Sequence, residues 1–226
     1  MESSLLNLIT ASAAFVGTHF IMSHPLRAPM VKVLGDIGFQ VAYSVVSLAT
    51  MAWMYFAFKA TPATTPLWPG FDDISWAVGS IIVLLGMVLF AGSLIGNPAM
   101  PAPNAADAAR KEPHGVFRVT RHPMLWGFTL WGVSHIIAAP TGRTLVVALA
   151  IIVLSLVGAK FQDAKKRGQM GEAWAAWESK TSYWPRLGQL GAIGWKTWAI
   201  GAAIWLTASW AHGAFGGMDA GLFRWL

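Results

Sequence analysis

The chain has 226 residues, of which 55% are hydrophobic and only 12% charged, and it contains no cysteine. A mean hydropathy of +0.53 is more apolar side chain than a soluble domain of this size can hide, so the surplus must face lipid. Without cysteine there are no disulfides, iron–sulfur clusters, thiolate-ligated haem or covalently attached c-type haem, and any haem would be held noncovalently.

In chain order, six apolar runs approach the length of about 17 to 25 residues that crosses a hydrocarbon core. The first, Leu5 to Met22, follows Glu2 with no basic leader region and reads as a retained span. It runs into His24-Pro25 and a short basic loop ending near Gly38, which predicts a tight hairpin with the second span, Gly38 to Phe58. Proline, glycine and aspartate then mark an interfacial loop with Trp68 and Phe71, before the third span, Ile74 to Ile95.

Residues 97–113 are rich in proline and alanine and read as an irregular connector. The fourth and fifth spans, Pro123 to Ala138 and Thr144 to Phe161, are joined by a four-residue turn. From Gln162 to Pro185 the pattern predicts an amphipathic helix on the membrane surface, with Trp174 and Trp177 in the headgroup layer. The sixth span is Trp195 to Ala211.

Backbone groups in lipid find no water, and the runs lack the alternation of barrel strands, so the class is all-α. The expectation is one polytopic helical bundle over residues 1–226. A net charge of +6 raises nucleic acid as a partner, but membrane sidedness explains it better. Thirteen of the sixteen basic residues fall on the side reached after spans one, three and five, leaving Lys59, Arg143 and Arg224 opposite. That asymmetry places both termini outside and the basic loops in the cytoplasm, with no nucleic-acid partner.

Of the six histidines, His19 and His135 fall inside spans, where an ionisable residue is a functional candidate. The alternative is a neutral imidazole bonded to a neighbouring helix. Imidazole is also a common haem ligand, given an apolar slot and polar groups for the propionates. Gly132, with Phe128 and Trp131, lies on the face of His135 and leaves room for a porphyrin, unless it serves only close helix packing. His122 precedes His135 by thirteen residues, about 20 Å and 140° on one helix, so the two cannot share an iron unless the helix breaks.

The segment from Gly115 through Arg121-His122-Pro123 to Gly127, followed by Trp131 and Ser134-His135, resembles the NnrU family and its relative, 15-cis-ζ-carotene isomerase. His19-Phe20, Ser23-His24-Pro25-Leu26-Arg27 and the stretch from Tyr43 to Leu48 carry the same resemblance, which covers roughly residues 5 to 210. It implies haem b held by His19 and His135 as iron ligands, in a bacterial inner membrane, with a link to denitrification and nitric oxide. The isomerase branch has a cysteine where this chain has Gly132. The Arg-His-Pro element is also similar to isoprenylcysteine and phospholipid methyltransferases, which use it for S-adenosylmethionine. Here Gln162-Asp163 lacks their paired carboxylates.

The leading expectation is a haem b site with Arg121, His122 and Arg118 toward the propionates and Gly132 beside the ring. Depth opposes it, because His19 lies about 20 Å down its span whereas His135 is about two turns from the outer hairpin. Either that hairpin turns below the surface, or His19 pairs with His122. The competing functions are redox or gas chemistry at haem, haem-dependent carotenoid isomerisation, methyl transfer, and service as an assembly partner of a membrane reductase. The expected partners are membrane lipids and a hydrophobic or gaseous substrate.

Overall fold

The computed structural model describes residues 2–215 and 217–226, and among these there are helices and turns but no strand. The helices are α1 (Glu2–Ser23), α2 (Arg27–Ala60), α3 (Asp73–Ser93), α4 (Ala105–Arg110), α5 (Val116–Val119), α6 (Pro123–Ala138), α7 (Gly142–Met170), α8 (Glu172–Lys180) and α9 (Trp195–Ala214). Short 3₁₀ turns cover Leu187–Ala192 and Gly221–Trp225.

Four helices, α1, α2, α3 and α7, are long and apolar enough to cross a membrane. The shorter α6 and α9 lie alongside α3. Packing runs as a row: α2 on α1, α1 on α7, α7 on α6, α6 on α3 and α3 on α9. With little hydrophobic drive between helices in lipid, small residues set how closely they approach. Gly86 and Gly127 face each other across α3 and α6, where a Cβ on Gly127 would lie 2.7 Å from the Gly86 carbonyl oxygen.

The turn between α6 and α7 is roofed by the loop between α2 and α3. Leu67 N donates to Pro140 O (2.9 Å), Phe71 N to Ala138 O (2.9 Å) and Gly142 N to Thr64 Oγ1 (3.1 Å). The loop is itself tied down, since Arg224 Nη2 donates to Phe71 O at 2.7 Å and the Asp72 carboxylate caps α3 through Ser75 N.

Three local expectations change. The basic loop after α1 is helical from Arg27, broken only at Gly35, whose φ of 70° suits glycine. The connector over 97–113 contains α4. The predicted surface helix is in fact two pieces: α7 runs on to Met170, the chain turns at Gly171 (φ 55°), and α8 follows.

Trp174 and Trp177 are therefore not in the headgroup layer. They are 0% and 2% exposed, packed with Val88, Phe117, Val119 and Ile193 in the main core. Their helical spacing marks an apolar face, and α4, α5 and α3 supply the protein surface that covers it. Trp184 and Trp195 stand outward instead, 63% and 75% exposed.

Candidate functional site

The imidazoles of His19 and His135 are both held by their own helix. His19 Nδ1 donates to Phe15 O (2.7 Å), and His135 Nδ1 donates to Trp131 O (2.8 Å). A carbonyl can only accept, so Nδ1 carries the proton in each ring. In the neutral ring the lone pair then sits on Nε2, the arrangement seen in metal-binding histidines. His19 lies between the rings of Phe15 (4.4 Å) and Tyr43 (5.4 Å), and His135 against Trp131 (4.1 Å).

Their levels follow from contacts along α7. Thr61 Oγ1 donates to Ser4 O (3.1 Å) and Arg143 Nη1 to Thr61 O (3.0 Å), which sets Ser4 level with Arg143. At the other end Phe20 meets Phe161 at 5.3 Å, so α1 and α7 run parallel and His19 lies near the level of residue 159. Helix α6 runs the opposite way, with Gly132 against Ala148 and Ile152 and His122 against Gln162 and Asp163. His135 therefore sits near the level of residue 148.

The two histidines are thus about 16 Å apart in depth at 1.5 Å per residue. Metal–imidazole bonds are about 2 Å long. The structure does not bring His19 and His135 to the common level that one shared iron would need.

The tightest polar constellation lies elsewhere, where α6 begins and α7 ends. Arg121 Nε and Nη2 both donate to the Asp163 carboxylate, the shortest bond being 2.7 Å, and Nη2 also lies 3.3 Å from Glu178 Oε1. His122 Nε2 is 2.8 Å from Asp163 Oδ1, and His122 Nδ1 is 3.2 Å from Gln162 Oε1. Both Asp163 and His122 are buried, at 4% and 2% exposure.

The segment bearing these residues is clamped to the strand-like stretch after α8: Arg121 N donates to Ser182 O (2.8 Å), Arg186 N to Val119 O (2.9 Å) and Thr120 Oγ1 to Tyr183 O (2.9 Å). Burial pushes the Tyr183 phenol above its ordinary pKa, the Asp163 charge adds to that, and Arg121 opposes it.

A family model described as NnrU protein matches residues 7–220. The chain belongs to the NnrU family. No curated protein and no solved structure matches it.

In this NnrU chain the remaining expected residues are dispersed. Arg121 and His122 both pair with Asp163 rather than standing beside His19 or His135. Arg118 is not joined to them; it lines an open groove with Glu112, Lys180, Arg186 and Gln189. Gly132 leaves no room for a ring: a Cβ there would be 2.7 Å from Ile152 Cγ1 and 3.0 Å from Ala148 O, so it packs α6 against α7.

Asp163 and Glu178 were not anticipated as partners of Arg121. A signal for Asp163 existed, because equal counts back from the turn at Pro140 bring His122 opposite about residue 160. Among the described residues no group of three or more histidine, aspartate or glutamate side chains is arranged to hold a metal ion.

Proposed function

We propose that this NnrU protein is a six-span haem b protein of a prokaryotic cytoplasmic membrane, acting in denitrification or nitric oxide metabolism. The observation that carries the reading is the preset tautomer of both intramembrane histidines, each offering Nε2 from a ring flanked by aromatic side chains. Bound haem would supply an iron centre for redox or gas-ligand chemistry.

The unequal depths favour a single protein imidazole as the residue that would hold the haem, and the group would supply chemistry toward a small ligand such as nitric oxide. The protein's own part is to fix the imidazole's tautomer and rotation and to surround the centre with apolar side chains. Helices α6 and α9 are counted as spans four and six because they lie against α3 throughout its length, though α6 reaches only about 24 Å.

The test is the visible spectrum of detergent-extracted protein and of its His19→Ala and His135→Ala variants. A noncovalent b-type Soret band is expected, removed by one of the two substitutions and kept by the other. Protein that is colourless and takes up no added haemin overturns the reading; loss in both variants overturns the single-ligand form. Sidedness is checked separately by introducing cysteine into this cysteine-free chain. Thr65→Cys should react with impermeant maleimide from outside the cell and Ser179→Cys only in inverted vesicles.

A further inference from the structure

The basic end of the bundle contains a cluster that the Arg121 network does not absorb. Lys166 is 5% exposed and its ammonium has no acceptor among the described residues. Lys165 stands beside it, and the two lie within electrostatic range of each other and of Arg27 at the start of α2. Of the carboxylates near these three cations, Asp36 is 3.6 Å from Arg27 with a side chain 71% exposed, and Asp163, on the same helix as the two lysines, is engaged by Arg121 and His122.

His24 completes the group. Its ring lies 4.7 Å from that of Phe161, one turn before Lys165, and its Nδ1 is 2.7 Å from Ser23 Oγ. Its Nε2 is buried with no partner. Partly buried like charges left uncompensated are costly, and so is a buried ring nitrogen without a hydrogen bond. A ligand carrying two negative charges and several acceptor oxygens would relieve both.

Resting on the haem reading, we propose that Arg27, Lys165, Lys166 and His24 seat the two propionates of a haem whose iron is held by His19. The cluster lies six to seven residues beyond the level of His19 along α7, about 10 Å, on the side of the basic loops. At the level of His135 the cations are otherwise engaged or exposed: Arg143 donates to Thr61 O and lies over the Phe58 ring at 4.7 Å, Arg224 is held by Phe71 O and Asp73, and Lys59 is exposed. The charge distribution thus selects His19 over His135 as the ligand and replaces Arg118, Arg121 and His122 as propionate partners.

The experiment titrates haemin and haemin dimethyl ester, whose propionates are blocked, into detergent-solubilised apoprotein and follows the Soret band. Wild-type protein is expected to bind the free acid at least about tenfold more tightly than the ester. The Lys165→Gln/Lys166→Gln variant is expected to bind both alike, near the level of the ester. Arg27→Gln serves as a second variant should the double variant fail to fold by circular dichroism, and it is expected to narrow the preference in the same direction. Equal affinity of wild-type protein for acid and ester, or a preference unchanged in the variants, overturns the seat while leaving haem binding intact. No uptake of either compound by wild-type protein overturns both.

Discussion

Asp163→Ala is the substitution on which the fold of the basic end depends most. It removes the acceptor of the bonds from Arg121 Nε and Nη2 and from His122 Nε2 in a pocket where Asp163 is 4% exposed. Breaking a buried ion pair by deleting one partner costs about 3 to 5 kcal/mol, because the other charge stays buried. Glu178, already 3.3 Å from Arg121, offsets part of this, so the lower figure of about 3 kcal/mol is expected. At about 2 to 4 °C per kcal/mol for a chain of this length, the melting temperature should fall by about 6 to 12 °C.

Tryptophan fluorescence during thermal unfolding in a fixed detergent provides the assay. Replacing both partners with apolar residues, as in Arg121→Met/Asp163→Leu, should recover most of the loss, since a buried pair contributes little net stability. A change below about 1 kcal/mol for Asp163→Ala alone would refute the claim that Arg121 is held by this carboxylate.

Gly132→Ala should destabilise by about 1 to 3 kcal/mol through the clash with Ile152, and Ile152→Val in the same chain should restore part of that; a neutral Gly132→Ala would return the glycine to the list of cavity-forming residues. Tyr183 adds a pH dependence. Its raised pKa in the folded state contributes stability that is complete below about pH 10 and lost as the pH rises through the folded value. Unfolding midpoints measured from pH 8 to 11 should decline less steeply in Tyr183→Phe than in wild type, and identical slopes would count against the shift.

The chain read alone located the apolar stretches of the long helices, though not the start of α2 or the end of α7, because an apolar run of this length in lipid must satisfy its backbone internally whatever its neighbours are. Pro123 to Ala138 was bounded correctly by a proline that opens a helix and a turn that closes it. It also located the ionisable groups that needed explaining. Which of them meet was decided by the tertiary structure. Gly86 against Gly127 and Gly132 against Ile152 fix how α6 sits between α3 and α7, and that register delivers Asp163 to Arg121 and His122.

The same register sets His135 about 16 Å from His19 in depth and leaves Lys165 and Lys166 beside Arg27. Periodicity likewise marked the face of Trp174 and Trp177 without showing that protein rather than lipid would cover it. Helix formation depends on local bonds within one segment, whereas partner choice depends on rotation and level between segments distant in the chain, and those are fixed only when the helices pack.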